Sequence, residues 1–177
     1  MVESKMTQKE NKSNTTNTHW FLGTTGRILR MGLAYLIFLL LFKVGFTPTP
    51  SMEPTIEVND LIIYSKHADM ERGEIVLFQP PDTNEEYVKR LIAVEGDVIS
   101  IQGGIVFLNG SQLNEPYVKE AWYGELPETI VPEGHFFVMG DNRNNSADSR
   151  DFGFVPNENY IGAATLQVLP FSKFGLK

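Results

Sequence analysis

A serine held among prolines and a lysine inside a β-rich run are the two side chains of this chain whose types could build a covalent catalyst. Ser51 stands in Thr47-Pro48-Thr49-Pro50-Ser51-Met52-Glu53-Pro54-Thr55, where three prolines fix φ and push each preceding residue toward extended backbone. A segment stiffened in this way holds one hydroxyl in one place, although taken alone it would be a proline-rich connector. A serine hydroxyl is a weak nucleophile until a base removes its proton. Of the three histidines, His19 precedes a long apolar run, His67 lies in a polar loop and His135 opens a strand, and none stands in a recognisable triad setting. Lys89 is the other candidate base. It falls in Tyr87-Val88-Lys89-Arg90-Leu91-Ile92-Ala93-Val94, where alternation sets it on the face of Tyr87, Leu91 and Ala93 with Arg90 opposite. An amine among apolar neighbours loses hydration of its charged form, so its pKa falls and a neutral amine becomes available to take the Ser51 proton. The plainer reading of a mid-strand lysine is one whose head snorkels from a sheet edge.

A third segment, from Gly140-Asp141-Asn142-Arg143 through Ser146, Asp148, Ser149 and Arg150 to Gly153, mixes opposite charges with hydroxyls. Such a loop can be fixed by Asp–Arg pairs while a hydroxyl orients the lysine amine. It lacks the alternate-ligand spacing and terminal Glu of a calcium loop, and neither a metal nor another cofactor is expected.

These residues need elements to carry them. The chain has 177 residues, 42% of them hydrophobic, no cysteine and a formal net charge of −7. That suits one domain with accessories, without disulfides or a thiol nucleophile. The acidic balance argues against a nucleic-acid partner. Residues 1–26 read as a disordered cytoplasmic tail, because the first eighteen or so are almost wholly polar. Residues 27–46 read as a transmembrane anchor, with Arg30 and Lys43 snorkelling to the two interfaces. A buried core helix would rarely be so uniformly apolar, and a cleaved leader would need a small-x-small exit that Phe46-Thr47-Pro48 does not offer. Lys5, Lys9, Lys12, Arg27 and Arg30 precede the run against only Glu3 and Glu10, which puts the N-terminus in the cytoplasm and the bulk of the chain outside. Ser51 follows Phe46 by five residues, so it works within ~17 Å of the end of such a span.

Residues 47–177 read as an extracytoplasmic β domain. Short β-rich runs at 60–64, 73–78, 87–94, 98–101, 105–108, 136–139 and 164–169 are punctuated by Gly, Pro and Asn. Gly103-Gly104 and Asn109-Gly110 suit tight hairpins. The expected fold is mainly β, an antiparallel sheet domain carrying the site, preceded by a single N-terminal transmembrane helix.

Ser51-Met52-Glu53-Pro54-Thr55, Gly73-Glu74-Ile75-Val76-Leu77-Phe78, Tyr87-Val88-Lys89-Arg90 with Glu95-Gly96-Asp97, and Gly140-Asp141-Asn142-Arg143 through Arg150 together resemble the successive boxes of type I signal peptidases. Their order and the basic-then-apolar N-terminus match as well, and the short distance from Lys89 to Gly140 is similar to the compact Gram-positive form. The resemblance implies an endopeptidase that removes signal peptides from exported preproteins after small residues in an A-x-A-like pattern. It implies Ser51 as acylating nucleophile, Lys89 as general base and Ser146 as hydrogen-bond partner of the lysine amine. Asp148 with Arg150 and Asp141 with Arg90 would brace the site. The Ser51 N–H and the Thr49 hydroxyl would form an oxyanion hole; the family more often has Ser at the position of Thr49 and a small residue at that of Pro50. Met52, Ile56, Tyr87 and Val88 would line shallow pockets for small side chains, and a substrate strand would add to the edge near Glu86–Val88. Membrane lipid and the export translocon are the other partners implied. A Ser/Lys self-cleaving repressor would need a DNA-binding domain in place of the anchor. A membrane-anchored β domain that binds secreted peptides without cutting them is the rival from outside the enzymes.

Overall fold

The computed structural model describes residues 23–169 and 175–176, so most of the expected tail lies outside the described residues. The chain divides into two units at Leu41/Phe42. The first contributes helix α1, Gly23–Leu41, whose nineteen residues are long and apolar enough to cross a membrane. The expected span continued to Phe46, but Phe42–Phe46 forms strand β1. Phe, Val and Gly in Phe42-Lys43-Val44-Gly45-Phe46 favour extended backbone or disfavour helix. The strand pairs along its whole length with β2, Leu61–Ser65, from Phe42↔Ser65 to Phe46↔Leu61.

The second unit holds two antiparallel sheets. The larger one comprises β1, β2, β3 (Ile75–Phe78), β4 (Tyr87–Val94), β9 (His135–Met139), β10 (Val155–Pro156), β11 (Tyr160–Leu169) and β12 (Gly175–Leu176). Its strand order is β1-β2-β11-β3-β4-β9-β10, with β12 paired to β11. The smaller one, β7-β6-β5-β8, comprises β5 (Val98–Gln102), β6 (Ile105–Leu108), β7 (Ser111–Gln112) and β8 (Leu126–Ile130). Gly103 and Gly104 have φ of +56° and +84°, and Asn109 and Gly110 have +53° and +77°, so both expected two-residue hairpins form with positive φ at each central residue. Strands β1, β7, β8, β10 and β12 were not expected. Most are two-residue pieces or edge strands, and β8 carries Pro127 where only β5 pairs with it among the described strands.

Three apolar clusters fill the unit. Ile92, Ala93, Ile99, Ile101, Phe137 and Met139 join the two sheets. Val76, Phe78, Leu91, Phe136 and Val138 pack on one face of the larger sheet. Met52, Ile56, Ile62, Tyr64 and Leu77 gather in the third cluster, which includes the residue after Ser51. Simple alternation along β4 fails at its far end. The β4–β9 register shifts between Leu91 and Ala93, and Ala93 therefore packs between the sheets instead of beside Leu91.

Strand β4 supplies the feature on which the site depends. Its pairing with β9 runs from Arg90↔Met139 to Val94↔Phe136, because β9 ends at Met139 and Gly140 begins a loop. Tyr87, Val88 and Lys89 pair with β3 on one side, and no described strand pairs with their other side.

Candidate active site

The proline-rich stretch folds as intended by its composition, into extended backbone at Thr49 followed by a 3-10 turn over Pro50–Met52. Asn142 clamps this turn from the neighbouring loop: its backbone N–H donates to the Ser51 carbonyl at 3.0 Å and its side-chain amide to the Pro50 carbonyl at 3.1 Å. Ser51 is buried, and its Oγ lies 2.7 Å from Lys89 Nζ and 3.1 Å from Thr49 Oγ1. Neither His67 nor His135 is a partner of this hydroxyl; His135 meets the Glu133 carbonyl at the start of β9.

Lys89 is 4% exposed. Burial pulls its amine down to about 8, with the Asp148 carboxylate opposing that shift and the Arg150 guanidinium adding to it. Its Nζ also stands 5.4 Å from the centre of the Tyr87 ring. The site thus holds an amine that gives up its proton far more readily than an exposed lysine, at about pH 8, within hydrogen-bonding reach of a fixed hydroxyl.

Two buried ion pairs frame this dyad. Arg90, on the opposite face of β4 from Lys89, donates to both carboxylate oxygens of Asp141 at 2.8 and 2.6 Å and to the Gly73 carbonyl at 2.5 Å. Thr55 adds a hydroxyl to the same carboxylate at 2.5 Å, which ties the Ser51 segment to β4. Arg150 grips Asp148 in the same bidentate manner, at 2.8 and 2.7 Å. Asp148 caps helix α2, Ser149–Phe152, and accepts from the Gly140 N–H at 2.9 Å. Ser146, expected as a hydrogen-bond partner of the lysine amine, lines the same cleft as Lys89, and its hydroxyl donates to Asp148 Oδ2 at 2.8 Å.

Between β1 and the start of β4 runs a cleft of about 440 Å³, with Ser51, Lys89 and Ser146 along it. Tyr87 and Val88 line it as expected. Met52 and Ile56 do not: both are wholly buried and pack against Tyr64 and Leu77, which are themselves part of the cleft wall. Following Ser51 in a turn, their side chains point into the core and support the cleft from beneath.

Several residues of the site had no role assigned from sequence. Gly140 is one, since a Cβ there would fall 2.2 Å from Ser146 Oγ and 2.6 Å from the Ser51 carbonyl oxygen. Arg143, also buried, donates to the Gly140 carbonyl at 3.0 Å and to Glu115 at 2.6 and 3.1 Å. Glu115 belongs to residues 113–125, a strap leading from the smaller sheet across the site. Along it Tyr117 stacks 3.8 Å over the Arg90 guanidinium, Lys119 pairs with Glu53 at 2.8 Å, and Trp122 lies 4.7 Å from the Arg150 guanidinium. The strap has no periodicity, the turn at Glu115–Val118 that Pro116 marks does not say where it packs, and nothing in its composition points at the site.

The sequence model of the family described as "Signal peptidase, peptidase S26" matches residues 23–169. The chain belongs to this family. As a signal peptidase it is a hydrolase that cleaves signal peptides, and its relatives span distant bacteria. It is 37% identical over 180 residues to a probable signal peptidase I-2 of Synechocystis sp., covering 96% of this chain and 82% of that one. It is 32% identical over 184 residues to the signal peptidase I of Bacillus amyloliquefaciens, covering 96% and 95%. A crystal structure of a signal peptidase I from Enterococcus faecalis V583 aligns with a TM-score of 0.51 at 30% identity, over 55% of this chain and 98% of that one. The four stretches that carried the resemblance, from Ser51 to Arg150, all fall within the matched residues of this signal peptidase.

Proposed function

We propose that this signal peptidase hydrolyses its substrates through a Ser51/Lys89 dyad, and one observation carries the reading: a buried amine pulled down to about 8 lies 2.7 Å from a buried serine hydroxyl. With Lys89 neutral, Ser51 Oγ–H donates to Nζ. Attack on the scissile carbonyl carbon forms the Oγ–C bond and moves the hydroxyl proton to Nζ. The resulting ammonium returns that proton to the departing amine as the C–N bond breaks, leaving an ester on Ser51. Water activated by the again neutral Lys89 then hydrolyses the ester. Developing charge on the carbonyl oxygen is met by the Ser51 N–H and the Thr49 hydroxyl. Ser146, whose proton is committed to Asp148, retains only acceptor capacity, which is what an ammonium at Lys89 needs. Asp148–Arg150 and Asp141–Arg90 hold the loop and strand on which these groups sit.

The substrate enters as an extended strand in the cleft, main chain to main chain with the open edge of Tyr87–Lys89. Small residues precede the cut in an A-x-A-like pattern, the preference that membership of the signal peptidase family implies. The substrates are exported preproteins. The chain works at the cell membrane, anchored by α1, with its N-terminus cytoplasmic and the β unit outside, next to lipid and the export translocon. The basic excess before the apolar run supports that orientation.

Incubation of the detergent-solubilised protein with a preprotein, read by mass spectrometry, tests this. Expected is a single cut after a small residue, abolished in Ser51→Ala and Lys89→Ala. Full activity in either variant removes that residue from the mechanism.

A further inference from the structure

The cleft has charged groups facing each other across its width, at a distance from the reacting atoms. Lys43 stands on β1 and Glu86 immediately before β4, and their side chains form an ion pair that bridges the two walls. Both are partly exposed, at 33% and 41% of their side-chain surface. Glu85 lines the same rim. Across this short stretch the formal charge is therefore one positive against two negative.

Position along the groove follows from strand geometry. Glu86 precedes Lys89 by three residues, and an extended strand advances ~3.3 Å per residue, so the pair sits roughly 10 Å from the dyad. A peptide strand lying along Tyr87–Lys89 and parallel to β4, with its scissile carbonyl at Ser51, brings its fourth residue before the cut to this level. It passes between Lys43 and Glu86, or under them, and any charge it carries there meets both.

We propose that Lys43 and Glu86, with Glu85 beside them, are specificity determinants for the charge of the substrate residue four positions before the scissile bond, just beyond the small residues of the A-x-A-like pattern. The inference rests on the reading that the substrate occupies this cleft as an added strand. A basic residue at that level replaces Lys43 as partner of the two acids and is favoured. An acidic one must compete with Glu86 for a single lysine while facing Glu85, and is disfavoured. Because the groups are partly exposed, the discrimination is modest, about two- to fivefold in kcat/KM, and shrinks with added salt.

The test uses the full chain in a non-ionic detergent and a peptide series with Lys, Gln or Asp at the fourth or fifth position before the cut, the first and third positions being kept small. The wild type is expected to prefer Lys over Asp, with the difference carried by KM. Glu86→Lys turns the rim net positive and reverses the preference. Lys43→Glu strengthens the preference for Lys. The double swap Lys43→Glu/Glu86→Lys restores the original balance, and with it the original order of substrates. Two further peptides, N-methylated at adjacent amides just before the cut, remove the main-chain donors that strand addition uses. If both are cleaved like the parent, the strand reading itself fails. If N-methylation blocks cleavage while all four proteins share one charge preference, the substrate lies in the cleft and the assignment of Lys43 and Glu86 is wrong.

Discussion

Gly140 and Ser51 approach so closely that a Cβ on the glycine would lie 2.6 Å from the serine carbonyl oxygen. That oxygen cannot readily retreat, because it accepts the Asn142 N–H at 3.0 Å as part of the clamp on the nucleophile's turn. Gly140→Ala should therefore displace the turn and the Ser51 hydroxyl with it. A misplacement on the order of 1 Å costs a catalyst about a hundredfold, and overpacking at a buried site costs about 1–3 kcal/mol. Adding Ser146→Ala leaves the contact with the Ser51 carbonyl untouched, so the double variant should not regain activity. Peptide cleavage and thermal melts read the two effects separately, and a Gly140→Ala enzyme of ordinary activity would show that the turn has slack.

The pH dependence of cleavage follows from Lys89. Its amine, pulled down by burial to about 8, is mostly protonated at pH 7 and mostly neutral at pH 9. The active form is the neutral one, so kcat/KM should rise about tenfold per pH unit well below pH 8 and level off above it. Lys89→Arg should be inactive across this range, since a guanidinium keeps its proton. A profile that is flat or falls between pH 6 and 9 would count against a lysine base.

The same shift is a cost to the fold. The amine titrates near 8 in the folded chain and near 10.5 when unfolded. Between those values the unfolded chain holds more protons, so this group makes stability rise with pH across that window; below pH 8 the penalty is constant and fully present. Its upper bound is on the order of 3 kcal/mol. Lys89→Met, similar in shape and without charge, should abolish cleavage while raising the melting temperature at pH 7. Its margin over the parent should narrow as pH climbs from 8 to 10. A Met variant less stable than the parent at pH 7 would mean that the lysine's contacts outweigh its desolvation.

How far the sequence reveals this molecule differs by residue. Ser51 and Lys89 stood out as candidates through proline stiffening and a basic residue inside an apolar strand. Each signal alone favoured a plainer reading, and it was the resemblance that joined them. That Asp–Arg pairs would brace the loop was readable from its mix of charges, but which Asp takes which Arg came through the resemblance alone. The end of the helix was not legible: Phe42, Val44 and Phe46 continue the apolar character of the run before them, with Lys43 taken as a snorkelling flank, and the pairing with Leu61–Ser65 that makes this stretch a strand is long-range. Met52 and Ile56 were expected in the cleft wall, yet a 3-10 turn at Pro50 directs such side chains into the core, and turn geometry is not visible as periodicity. Ser146 was expected beside the amine, but that its hydroxyl proton goes to Asp148 was not foreseen, because spacing does not say which acceptor a hydroxyl takes. The strap escaped notice because its contacts with Arg90, Arg143 and Arg150 are long-range and its sequence has no pattern.

That strap makes one more outcome measurable. Glu115 and Arg143 form a pair that is 11% and 3% exposed, whereas Lys119 and Glu53 form one that is 40% and 27% exposed. Breaking a buried pair leaves an uncompensated charge and costs about 3–5 kcal/mol, while an exposed pair contributes about 0–1 kcal/mol. Arg143 also holds the Gly140 carbonyl, so losing Glu115 loosens the neighbour that Ser51 packs against. Glu115→Gln should thus lower both stability and kcat, and Lys119→Ala should change neither by much. The double variant Glu115→Leu/Arg143→Met removes both charges and should recover most of the stability, because no ion is then left buried. It should not recover kcat, because the Gly140 carbonyl has lost its donor. Denaturant melts beside kcat for the four proteins separate the two contributions: equal losses from the buried and the exposed pair would mean that the strap only covers the site and does not position it.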